Sequence, residues 1–279
     1  MAARGEWTRA AIRLLEHLME TQGDAIAATS RVAADTIASG GLVHMFGTGH
    51  SRMAVEEMFP RYGSFPGFHP LVELSTTFHT QVVGANGQRQ AMFIERVEGL
   101  AEVILSNFTL GATDSMIVCS TGGVTANPIE MAMGGRSRGL PVIAITAVEH
   151  SKASPSQHSS STRLLDHADV VIDLGTPIGD ALVHLPGLDV PVGPGSSVAY
   201  VAAVNEIKVQ TAEILVERGA MPPVLTSGAV TNPVDAAARF DAAYREHARR
   251  LARILSGPEQ KAGPKGPEHT MATEDFRAS

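Results

Sequence analysis

Two short segments hold most of the residues suited to binding chemistry. Gly47-Thr48-Gly49-His50-Ser51 and Ser120-Thr121-Gly122-Gly123-Val124-Thr125 each mix glycines with Ser or Thr hydroxyls. Such loops suit an anion. Glycine lets the backbone come close, hydroxyls donate without adding charge, and a following helix brings free N–H groups and a partial positive charge. Helix-like stretches at 52–59 and 126–138 follow the two loops. The candidate phosphate-binding residues are therefore Gly47, Gly49, His50, Ser51, Ser120, Thr121, Gly122, Gly123 and Thr125. The competing reading is two tight turns with capping hydroxyls and no ligand.

Other phosphate motifs fit less well. Gly47-Thr48-Gly49 begins a dinucleotide fingerprint and Glu73 lies near the place of a ribose-binding acid, but Arg52 occupies the third glycine position. No Gly-Lys-Ser/Thr follows either loop, so there is no P-loop. Just past the first loop, Glu56 and Glu57 offer a carboxylate for proton transfer or an ordinary solvated helix face. Of the eleven histidines, His44 falls in an apolar run and reads as a hydrogen-bonded core residue. His69, His79, His150 and His158 read as loop residues, and no pair has the H-x-x-x-H spacing of a helical metal site. His79 and His150 are the two whose loops could reach the ligand end.

Short apolar runs lead into these turns. Leu42–Phe46, Pro70–Leu74, Met116–Cys119, Val142–Ile145 and Val170–Asp173 alternate with helix-like stretches, the pattern of a mostly parallel five-stranded sheet in a three-layer α/β/α sandwich. In such sheets ligands bind beyond the carboxyl ends of the strands, where both glycine loops fall. A helical segment occupies 1–40, with Trp7, Ala11, Leu14, Leu15 and Leu18 at helical spacing. Gly23 is expected to break it and Asp24 to cap a second piece ending near Ser39. The domain proper spans 41–256 and ends in helices from Ser197 to about Glu217 and from about Pro233 to Leu255. The Gly-, Pro-, Lys- and Glu-rich tail, 257–279, is expected to be disordered.

Composition narrows the function. A formal net charge of -7 argues against a non-specific nucleic-acid binder and leaves anion binding to local geometry. The single cysteine, Cys119, lies in an apolar run and reads as a buried structural thiol. The first residues carry Arg4, Glu6 and Arg9 without a long apolar run, so no secretory leader is expected, and no stretch of about 18 apolar residues occurs. The expectation is a soluble cytoplasmic protein without a cofactor.

Phe46–Ser51 resembles the first-strand loop of sugar isomerase (SIS) domains, and Ser120–Ile129 is similar to their second loop, whose hydroxyls hold a sugar phosphate. Val142–Thr146 with Ser151, then Ala168–Ile172, resembles the end of the SIS sheet. The resemblance covers about 30–225 and is greatest for phosphoheptose isomerases and stand-alone SIS proteins. It implies a phosphosugar ligand, a homodimer or dimer of dimers, and a catalytic glutamate at Glu57, with Glu56 as its neighbour and a spacing one helical turn shorter than in the isomerases. A glutamine and histidine eight residues apart in the isomerases correspond to Asn205 and Glu213 here. Met53 stands where they have a metal-ligand histidine, so no metal is expected, and Gly122 replaces a phosphate-binding serine.

These readings converge on a sugar-phosphate aldose–ketose isomerase, with Glu57 as base and Asn205 and Glu213 as partners. A SIS lyase or etherase acting on an amino-sugar phosphate, and a phosphosugar-binding module without catalysis, are the alternatives.

Overall fold

The computed structural model describes residues 3–76 and 88–255. Five strands form one sheet: β1 (Val43–Gly47), β2 (Phe68–Leu71), β3 (Ser115–Cys119), β4 (Val142–Thr146) and β5 (Val170–Asp173). Their order is β2-β1-β3-β4-β5 and every pairing is parallel. Strand side chains alternate between faces, and here both faces are apolar. Val43, Met45, Ile117, Cys119, Ile143 and Ile145 point into one core, while Phe46, Met116, Val118, Val142 and Ala144 point into the other. Helices must therefore cover both sides, which gives the three-layer sandwich.

On the first face lie α1 (Glu6–Ala38), α2 (Arg52–Met58) and α7 (Ser196–Glu217). On the second lie α4 (Leu100–Leu105) and α5 (Ala126–Ser137). The short α3 (Gln88–Ile94) and α6 (Val148–Ala153) sit among the loops, and β6 (Ala181–Val183) with β7 (Val192–Pro194) makes an antiparallel hairpin ahead of α7. At the opposite end, α8 (Pro233–Leu255) closes the bottom of the sheet, where Arg250 Nη1 donates to the carbonyls of Ile37 and Gly41. Among the described residues no helix is long and apolar enough to cross a membrane.

Three expectations are corrected. Gly23 does not break α1, which runs unbroken for 33 residues, so Asp24 caps nothing. An exposed interior glycine costs only about 1 kcal/mol relative to alanine. The stripe Leu14, Leu18, Ile26, Ala33 and Ile37 is continuous across it and buries against the core. The edge strand β2 starts two residues earlier than the apolar run, at Phe68. That places His69 within a strand rather than a loop, buried against His44 with the two Nδ1 atoms 2.9 Å apart. The masking of a strand by Phe-His-Pro, a weak period-two pattern, accounts for the miss. His79 and the 257–279 tail lie outside the described residues.

Candidate functional site

Both glycine loops stand at the carboxyl ends of adjacent strands β1 and β3, as parallel-sheet chemistry requires. The first bends so tightly that a Cβ on Gly47 would lie 2.7 Å from the Ser51 carbonyl oxygen; only glycine fits there. It delivers Thr48 and Ser51 to the cavity. In the second loop the Gly123 N–H donates to Ser120 Oγ at 3.1 Å, and Gly123 takes a φ of +60°. Thr146 Oγ1 and the Ala147 N–H both donate to the Thr121 carbonyl. These bonds curl the loop around its own hydroxyls before α5 begins.

Between the loops is a cavity of about 280 Å³. Of the residues expected from the sequence, Ser51, Ser120, Thr121, Gly122, Gly123 and Thr125 line it, joined by Thr48 and Val124. Gly47 and Gly49 shape the first turn without lining the cavity, and His50 is exposed beside it. The lining also includes Glu95, Arg96 and Gln157, none of them anticipated. Arg96 is the cationic side chain of this lining, and its Nε donates to Gln157 Oε1 at 2.7 Å.

Glu95 is fixed from two directions. Its carbonyl accepts the N–H of Asn127, the second residue of α5, at 2.9 Å. One carboxylate oxygen accepts the Thr48 hydroxyl at 2.8 Å. Burial raises its pKa above the ordinary carboxylate value, and the bond from Thr48 and the charge of Arg96 only partly offset that. Underneath, Tyr200 of α7 is wholly buried. Its hydroxyl accepts from Ser51 and Thr121, each at 3.3 Å, and donates to the Ile145 carbonyl at 3.4 Å. One phenol thus links both loops to β4.

The residues expected to catalyse are placed elsewhere. Glu57 and Asn205 do come together, with Asn205 Nδ2 donating to Glu57 Oε1 at 3.3 Å. But Glu57 Oε2 accepts from Arg61 at 2.9 Å, its other oxygen lies 3.7 Å from Lys208 Nζ, and it is outside the cavity lining. Lys208 is buried and also donates to the Glu57 carbonyl, so the group is a bridge between α2 and α7. Glu56 pairs with Arg52 on the exposed side. Glu213 is exposed and, eight residues past Asn205, stands about 12 Å further along the α7 axis.

Among the described residues, Glu98, Glu130 and His158 are the grouping whose atoms could share a cation. Each is already hydrogen-bonded. Both Glu130 oxygens accept the Gly99 N–H at 2.8 Å, Glu98 accepts from the Ser159 N–H and hydroxyl, and His158 Nδ1 accepts the Ser160 N–H at 3.1 Å. That last bond leaves the proton on Nε2, facing Glu130 at 3.4 Å rather than free to hold a metal. Cys119 is fully buried under the loops, and burial pushes its thiol pKa upward.

Residues 6–147 match the SIS domain family. A UPF0309 protein of Streptomyces griseus is 36% identical over 242 residues, covering 87% of this chain and 95% of its own length. A UPF0309 protein of Listeria innocua is 33% identical over 221 residues, 79% of this chain and 87% of its own. Among solved structures, the phosphoheptose isomerase of Francisella tularensis aligns at TM-score 0.49 and 13% identity, covering 76% of this chain and 97% of that one. The chain belongs to the SIS domain family and, within it, to the UPF0309 proteins.

Proposed function

We propose that this SIS protein binds a sugar phosphate in the cavity between its two glycine loops and acts on it as an aldose–ketose isomerase. The observation that carries this reading is the two-sided chemistry of one cavity. The hydroxyls of Ser120 and Thr125 and the half-buried carboxyl of Glu95 line it together. A phosphate needs converging neutral donors and some positive charge, which the second loop and Arg96 provide.

Isomerisation needs a base within reach of the carbon beside the carbonyl. The Glu95 carboxylate takes the proton from the hydroxyl-bearing carbon while a proton passes from that hydroxyl oxygen to the carbonyl oxygen, by way of an enediol, and Glu95 returns its proton to the former carbonyl carbon, leaving the carbonyl on its neighbour. A base with a raised pKa suits both halves of this exchange. The resemblance puts Glu57 in this role. Its ion pairs with Arg61 and Lys208, and its absence from the cavity lining, support giving proton transfer to Glu95 and a bridging role to Glu57. The same proposal includes assembly as a homodimer or dimer of dimers. It is supported by exposed Ile12 and Met19 on α1 and Val209 and Val216 on α7. Isothermal titration with a panel of pentose, hexose and heptose phosphates tests the binding half. Saturable binding of at least one member is expected, and no binding by any removes the reading.

A further inference from the structure

We infer that His150 is a ligand-binding residue of the phosphate cradle, donating from Nε2 to a phosphate oxygen beside Gly122. This rests on the sugar-phosphate reading of the cavity and adds to it a residue outside the two loops, next to the lining residue Gly122 rather than in the lining itself. His150 lies in the first turns of α6, which follows β4. Its Nδ1 accepts the Gly179 N–H at 2.9 Å. In a neutral imidazole that bond puts the proton on Nε2, so the ring's free edge is a donor.

That edge faces the loop. A Cβ built on Gly122 would meet His150 Nε2 at 3.6 Å and Cδ2 at 3.7 Å. Gly122 has no left-handed φ and no clash at ordinary contact distance, so its glycine is not a backbone requirement. The space a side chain would take is instead bordered by the imidazole. Beside it, Ser151 Oγ is fully buried without a protein partner, 3.3 Å from where a Cβ on Gly123 would lie. Two consecutive residues of α6 therefore aim polar atoms at the glycine pair of the second loop. The anchor is itself rigid. Asp180, next to Gly179, accepts the N–H groups of Gly195 and Ser196 and the Ser196 hydroxyl at the start of α7. The imidazole thus supplies a donor to the loop where residue 122 has no side chain to do so.

The test titrates inorganic phosphate into the full chain by 31P NMR, with circular dichroism confirming folding of each variant. His150→Ala is expected to lower affinity at least tenfold. His150→Gln, which keeps an N–H donor at similar reach, stays within about threefold of wild type. Gly122→Ser added to His150→Ala restores most of the loss by placing a hydroxyl in the vacated space. Unchanged affinity in His150→Ala overturns the inference, as does a loss that is equal in His150→Ala, His150→Gln and the double variant, which marks a structural role. If wild type itself fails to bind phosphate while the fold is intact, the sugar-phosphate reading fails first and the inference goes with it.

Discussion

The Thr48 hydroxyl donates to the Glu95 carboxylate at 2.8 Å, joining the first glycine loop to a segment 47 residues further along the chain. The Glu95 carbonyl is meanwhile bonded to the start of α5, behind the second loop. A single residue therefore ties the first loop to the start of α5 and places a titratable group in the cavity lining. Burial raises the pKa of this carboxyl and the Thr48 bond lowers it.

The first prediction follows from that sign. Removing the stabilising bond with Thr48→Val raises the Glu95 pKa further, so the acid limb of the kcat–pH profile moves to higher pH. Thr48→Ser retains the bond and leaves the limb in place. A stationary limb in Thr48→Val removes Glu95 from the titration that governs activity.

The anion side is tested separately. Ser120→Ala and Thr125→Ala each lose one hydroxyl donor and weaken sugar-phosphate binding by about 1–3 kcal/mol if a charge-assisted bond disappears. Arg96→Met weakens binding by about tenfold and also flattens its dependence on salt, because it removes an exposed charge that ions screen. Calorimetry at two ionic strengths separates the two kinds of loss.

Tyr200→Phe removes the hydroxyl shared by Ser51, Thr121 and the Ile145 carbonyl. Its three bonds are long, so the stability cost is about 1 kcal/mol. Ligand affinity falls as the loops lose their common strut. Chemical denaturation and calorimetry on the same variant measure the two effects.

Far from the site, pH acts on stability through His69. Burial, then the neighbouring charges of His44 and His247, lower its pKa from 6.5 to about 3 against a smaller opposing pull from Asp114. Between those values the unfolded chain binds a proton that the folded chain refuses. Stability therefore falls as pH drops from 6.5 toward 3, with a slope near 1.4 kcal/mol per unit for the one proton. Asp114 adds to the loss at still lower pH. Burial pushes its carboxyl up, but His44 at 3.6 Å, Arg253 and the N–H groups of Gly111 and Leu42 outweigh that and hold it below the usual range. Replacing the imidazole in His69→Asn flattens the urea-denaturation stability profile between pH 4 and 6 by about one proton; an unchanged slope contradicts the assignment.

The two loops were legible because each follows an apolar run and packs its chemistry into six residues or fewer. The sheet was legible for the same reason: strands buried on both faces read as continuous apolar runs. Glu95 and Arg96 were not, since they lie in no motif, just past α3, and Glu95 is held at the cavity by bonds to the start of α5 and to the first loop. Tyr200 was hidden in a long apolar helix, where no motif sets it apart. The 3-residue strands β6 and β7 are too short for any periodic signal. Glu57 and Asn205 meet, but Arg61 and Lys208, visible only in three dimensions, engage the carboxylate.

The most direct measurement is proton NMR of a sugar-phosphate panel incubated with the protein in heavy water, alongside Glu95→Gln. The proposed function requires deuterium wash-in at the carbon next to the carbonyl for at least one member, lost in Glu95→Gln while binding persists. Binding without exchange for every member contradicts the isomerase, and release of lactate from a lactyl-ether amino-sugar phosphate points to the etherase instead. Exchange that survives Glu95→Gln but stops in Glu57→Gln returns the base to Glu57 and contradicts the site drawn here.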